Sequence, residues 1–189
     1  MYHIKDDKRM MKSSELLYQG LVSCMNRKEF SKITIADLSE ASTVGRATFY
    51  RNFDNITDIL YWKLNQQFSE NLNEYVDMNP YPNLRTGFLL HVFNYWTRNS
   101  ETLEYLLKIN RIDIVYKCSL ENSHIIVNHM KKQAQIPDFS YDYFIAIRFG
   151  ILIGIMDTWV KSGKKENADE IVRIIENQLH IATKDNLIF

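Results

Sequence analysis

Proline and cysteine are scarce in this chain, at 3 and 2 of its 189 residues, and glycine adds only 6. So few breakers leave long stretches free to be helical, and no strand-like alternation competes with them. Cys24 and Cys118 stand far apart inside helical patterns. They read as small buried hydrophobes in a reducing cytoplasm rather than as a disulfide. Net charge is missing too: 23 Lys plus Arg balance 23 Asp plus Glu. Charge alone therefore gives no argument for nucleic acid. No signal peptide is expected, because no apolar stretch follows Lys5, Asp6, Asp7, Lys8 and Arg9. The one candidate membrane segment, Phe144 to Val160, is short and carries Arg148 and Asp157. The expected location is the cytoplasm, with no membrane partner.

Catalytic patterns are also missing. There is no Gly-rich phosphate loop, no Gly-x-Ser-x-Gly and no Cys-His pairing, so no enzyme and no catalytic residue is expected. His124 and His129 are five apart, which puts them on different parts of a helix. Metal ligands must converge, so no metal site and no cofactor is expected.

What is present is helical and aromatic, with 46% hydrophobic and 13% aromatic residues. Met10, Leu17, Leu21 and Met25 repeat at helical spacing and predict a helix over 6–28. A break follows at 26–32. Further on, Asn55 with Asp58 caps a long helix that runs to about Met78, where Asn79-Pro80-Tyr81-Pro82 ends it. Helices then follow over 84–99, from Ser100, over 110–135, over 139–162 up to Gly163, and from Asn167 onward. Ile136-Pro137-Asp138 separates two of them.

Residues 34–53 are the most informative stretch. Thr34 is a good N-cap and Asp37 sits three residues on, so a short helix starts there and stops near Ala41. Ser42 and Thr43 are weak in helix interiors, and Gly45 begins a second short helix. Val44, Ala47, Phe49 and Phe53 are its packing residues. Arg46, Thr48, Tyr50, Arg51 and Asn52 then present chemistry suited to DNA: Arg for guanine edges or phosphate, hydroxyls for phosphate, Asn for adenine. Two short helices about a tight turn are the construction of a helix-turn-helix.

The run from Ile33 to Leu60, with Thr-Phe-Tyr-Arg-Asn-Phe at its centre, resembles the DNA-binding domain of the TetR family of transcriptional regulators. Beyond that run the resemblance rests on helical layout and on the region Gly154 to Gly163. It implies an all-α fold: an N-terminal three-helix helix-turn-helix domain, at 1–54, and a C-terminal helical domain for effector binding and dimerisation, at 55–189. It implies a ligand-responsive regulator, a repressor that binds a near-palindromic DNA operator as a homodimer. The DNA contacts so implied are Thr34, Thr43, Gly45, Arg46, Ala47, Thr48, Tyr50, Arg51 and Asn52. Three positions depart from the family pattern. Thr43 stands where the turn usually has Gly, Gly45 where the recognition helix usually opens with Ser, and Ile56 where a phosphate-binding Lys is common. The last removes a charge that strengthens binding without adding sequence information.

Two features concern the C-terminal part. Phe144 to Val160 is apolar nearly all round, so it needs cover on more than one side: from its own core and a partner chain, or, as the alternative, wholly from its own domain. Gly150 and Gly154, four apart, would admit a second helix closely. The expected dimer face comprises Ile151, Ile155, Trp159, Ile171, Ile174 and Ile175. The aromatics Tyr61, Trp62, Phe93, Trp96, Tyr105, Tyr116 and Phe149 are expected to line the pocket for a small-molecule effector that the family implies, although each taken singly reads more readily as ordinary core. A regulator acting through a protein partner is the alternative, and an enzyme on a helical scaffold a more distant one.

Overall fold

A computed structural model describes residues 2–4, 7–79, 86–131 and 141–184. Among them lie nine α-helices and no strand. In chain order they are α1 (Lys8–Met25), α2 (Ile35–Ser42), α3 (Arg46–Asn52), α4 (Thr57–Met78), α5 (Thr86–Asn99), α6 (Glu101–Lys108), α7 (Ile112–Lys131), α8 (Tyr141–Lys161) and α9 (Ala168–Lys184). The expected proline breaks at 80–82 and 136–138 lie outside the described residues.

Local chemistry sets most of the boundaries. Asp7 caps α1 by accepting from the backbone N–H groups of Arg9 and Met10, so the helix starts two residues later than expected. Thr34 and Asp37 form a reciprocal capping box at α2. Asn167 and Glu170 exchange the same pair of bonds at α9. Asn55 and Asp58 do so ahead of α4, holding the turn that leads into it. At the end of α8, Gly163 adopts φ 89° and the N–H groups of Gly163 and Lys164 bond back to the carbonyls of Val160 and Trp159. Ser100 does not cap α6 as expected. Its backbone is helical, so its hydroxyl is turned away from the helix start and instead donates to Glu104.

The helix α4 lies at the centre of the molecule. It packs against α1 on one side and against α5, α6 and α7 on the other. Leu60, Leu64, Phe68, Leu72 and Tyr75 are buried along it at helical spacing. Its N-terminal end carries Trp62, whose ring stands edge-on to Phe53 beyond α3. One element thus enters the core around α1–α3 and the core around α5–α8.

Candidate functional site

The turn between α2 and α3 is built on close packing. Gly20 of α1 lies under Ser42: a Cβ at Gly20 would stand 2.8 Å from the Ser42 Cβ. The Ser42 hydroxyl donates to the Leu38 carbonyl at 2.5 Å and accepts from the Val44 N–H at 3.2 Å. Thr43 then takes φ 58°, the left-handed region that Gly occupies without a steric penalty. Its hydroxyl donates to the Ser42 carbonyl at 2.6 Å. Gly45, by contrast, has φ −64°, so nothing in its backbone requires glycine. Sequence reading missed Gly20, since a helix-interior glycine shows its purpose only when the neighbouring helix is in place.

From that turn α3 runs with two faces. Phe49 and Phe53 are fully buried, their rings tilted against each other at 6.0 Å between centroids. Arg46, Ala47, Tyr50 and Arg51 are exposed, Thr48 is half-buried, and Tyr50 has 60% of its surface in solvent. Arg51 Nη2 donates to Thr48 Oγ1 at 3.3 Å, which lays the guanidinium along the outer face. Ala47 belongs to that outer face and not to the packing set, because the core side of this turn is already filled by Val44 and Phe49. Asn52 is the second departure. It has no exposed surface, and its Nδ2 donates to the hydroxyls of Ser13 and Ser14, both at 3.1 Å. It anchors the end of α3 to α1 and does not face a groove.

The flanking candidates are engaged locally. Thr34 is exposed, but its hydroxyl donates to Asp37 at 2.6 Å. Lys28 pairs with the same carboxylate at 2.5 Å, and Lys28 and Thr34 together hold Asp37 well below the usual carboxylate range. Exposed Thr43 and Gly45 sit between Asp37 and α3 along the same surface. The exposed side chains of α3 form a short polar ridge on a rigid apolar base. That geometry suits insertion into a major groove, with the guanidiniums and the phenol reaching base edges and phosphates.

The C-terminal candidates divide differently. Trp62, Phe93, Trp96 and Phe149 are buried, each with 4% or less of its surface exposed. Trp96 packs on Phe68 at 5.0 Å and on Tyr95 at 5.4 Å. Tyr61 donates to Glu121 at 2.6 Å, and Tyr105 to Glu101 at 3.2 Å. Tyr116 is exposed. Side chains that go to such different neighbours do not form the wall of one cavity. Phe149 edges a small cleft of about 70 Å³, with Phe88, Leu89, Arg148 and Leu152. Four of the seven expected rings, Trp62, Phe93, Trp96 and Phe149, are thus packed as core in the helix–helix seams.

The six expected dimer residues do come together. Ile151, Ile155, Trp159, Ile171, Ile174 and Ile175 line one groove of about 470 Å³ between α8 and α9. Gly150 and Gly154 floor it, with open space where a Cβ would stand. Ile151 and Ile174 are each about half exposed, at 49% and 50%, and Ile147 and Tyr143 extend the apolar surface along α8.

Contacts between the two parts of the molecule were not legible beforehand. Tyr18 of α1 meets Thr102 of α6 through a buried hydroxyl pair at 2.8 Å, and Lys63 of α4 pairs with Glu15 of α1 at 2.9 Å. A cleft of about 530 Å³ opens in the same seam, lined by Met25, Lys28, Phe30, Lys108 and Ile109 among others. Among the described residues no group of His, Cys, Asp and Glu could hold a metal ion, and no helix is long and apolar enough to cross a membrane.

Comparison with known proteins bears on both halves. The family model TetR_C_8, a transcriptional regulator C-terminal region, matches residues 86–180. A crystal structure of Lin0861 from Listeria innocua superimposes with a TM-score of 0.75 at 17% identity, covering 95% of each chain. That of a TetR transcriptional regulator from Streptococcus agalactiae does so with a TM-score of 0.60 at 18% identity, covering 89% of this chain and 93% of that one. No curated protein matches the sequence.

Proposed function

Because the chain belongs to the TetR family of transcriptional regulators, we propose that it is a ligand-responsive repressor that binds a near-palindromic operator as a homodimer. The observation that carries the reading is the two-faced α3: Arg46, Thr48, Tyr50 and Arg51 outward, Phe49 and Phe53 locked inward. In this reading residues 1–54 form the DNA-binding unit and 55–189 the effector and dimer unit, with α4 belonging to both cores. Two α3 ridges read successive major grooves, and Thr43 and Thr34 approach the phosphates at their flanks. The pairing of chains runs through the α8–α9 groove, whose apolar surface and open glycines suit a second copy of the same helices.

An effector shifts operator affinity only by as much as it prefers one spacing of the two DNA-binding units over the other. The lever for that change is α4, since it packs on α1 and on the C-terminal helices together. The protein-partner alternative is favoured by one observation: the aromatics that would wall an effector pocket are packed against their own neighbours. Native mass spectrometry of the purified dimer separates the two, by a retained small molecule or by a stable heterocomplex.

The decisive test is selection of bound duplexes from a random DNA library, followed by gel-shift titration at fixed salt. Arg46→Ala and Tyr50→Ala are each expected to abolish specific binding and to leave the dimer intact. Unchanged affinity in both would remove α3 as the reading helix.

A further inference from the structure

Residues 2–4 precede α1, yet they do not lie beside it alone. Tyr2 and Phe53 form an isolated antiparallel bridge, and the His3 N–H donates to the Asn52 carbonyl at 2.8 Å. The His3 ring meets Asp54 Oδ1 at 2.7 Å. The segment is thus tied by backbone and side chain to the last turn of α3. Its other attachment is to the C-terminal helices. The Tyr2 ring packs on Tyr61 of α4 at 5.0 Å, and its hydroxyl accepts from Asn65 Nδ2 at 2.8 Å. Asn65 Oδ1 in turn accepts from Asn122 Nδ2 of α7 at 2.7 Å, and Asn122 also donates to the Cys118 carbonyl at 2.8 Å.

These contacts make one continuous line: α7 through Asn122, α4 through Asn65, then Tyr2 and His3, then the end of α3. Asn65 is the joint. Its carbonyl end faces α7 and its amide end faces Tyr2, so turning the amide over sets two NH2 groups against each other and breaks the bond to Asn122, while the Tyr2 hydroxyl changes from acceptor to donor. A joint with two such discrete arrangements behaves as a two-position connection rather than a soft one.

We propose that Tyr2 and His3 form a strap that positions the C-terminal end of α3 and couples it to the α4–α7 seam. A shift of α7 against α4 reaches α3 through Asn122, Asn65 and Tyr2, in addition to the path through α4 itself. Tyr2 and Asn65 are positioning residues: they act on α3 through the strap and touch no base or phosphate. The coupling to operator affinity rests on the reading of α3 as the DNA-contacting helix; the positioning of α3 does not.

The test separates the two. Amide hydrogen exchange, followed by NMR on the full chain without DNA, compares the wild type with Tyr2→Phe and Asn122→Ala. Tyr2→Phe keeps the ring on Tyr61 and removes only the acceptor, so folding is preserved. Both variants are expected to speed exchange at His3 by about fivefold, the weight of an ordinary hydrogen bond, with α2 amides unchanged. Wild-type exchange at His3 in Tyr2→Phe, or in a folded Asn122→Ala, overturns the strap. On duplexes selected by the wild type, Tyr2→Phe is expected to weaken binding by about threefold to tenfold with the melting temperature and dimer retained. Undiminished affinity there overturns the coupling. If the wild type selects no duplex, the DNA reading fails instead, and the exchange result still decides the strap.

Discussion

A Cβ added at Gly20 would stand 2.8 Å from the Ser42 side chain and 3.0 Å from its backbone nitrogen, in a place where Ser42 is already bonded to Leu38 and Val44. Gly20→Ala raises helix propensity in α1, but backbone cannot move aside as a flexible side chain can. It is expected to destabilise the fold by about 1–3 kcal/mol in urea titration. Asn52→Ala removes the donor that Ser13 and Ser14 share and is expected to cost about 1–3 kcal/mol, read in the same way. A loss of DNA binding without a loss of stability would restore Asn52 to the DNA-facing set. Residue type was a poor guide at both places. Asn suits adenine and also suits a buried hydroxyl pair, and only the rotation of α3 about its axis decides between them. Tyr50 and Phe49, adjacent in sequence, were legible, because a phenol and a phenyl differ in their tolerance of water.

At the scale of the element, capping was the most legible signal. Thr34–Asp37, Asn55–Asp58 and Asn167–Glu170 all follow from residues three apart, and each exchanges its two bonds within one turn of chain. Ser100 has Leu103 and not an acid three residues on, and it failed as a cap: its own backbone is helical and its hydroxyl turns to Glu104. The α2 box also sets a pH response. Lys28 and Thr34 depress the Asp37 carboxyl below its unfolded value, so its contribution is present above about pH 4 and is lost as pH falls toward the folded value. Asp37→Asn is therefore expected to lower the melting temperature at pH 7 and to differ less from the wild type at pH 3. A gap that stays constant over that range would detach the box from α2 stability.

At the scale of the whole molecule, the exposed apolar surface of α8 and α9 calls for a cover. Ile151 and Ile174 stand half exposed above Gly150 and Gly154, on a groove lined by all six residues expected there. A charge placed in that groove would be buried unpaired on association. Ile151→Asp and Ile174→Asp are each expected to give a monomer in sedimentation, with operator affinity falling sharply because one α3 ridge then binds alone. The monomer should stay folded, as each side chain is about half exposed in the chain itself, with a melting temperature lowered by the loss of association.

The sequence by itself determined the helices, three of their capping pairs, the two short helices about Thr43 and the apolar character of α8. Each of these rests on spacing within one or two turns, and such spacing survives whatever the rest of the chain does. Only the tertiary structure decided where the aromatics went, which face Asn52 took, why position 20 is glycine, and how residues 2–4 join α3 to α7. Those outcomes depend largely on partners far off in the chain, as Asn52 on Ser13, 39 residues away, and Tyr2 on Asn65, 63 away. An aromatic ring or an amide is compatible with several such partners, so its role is set by which helix the fold brings against it.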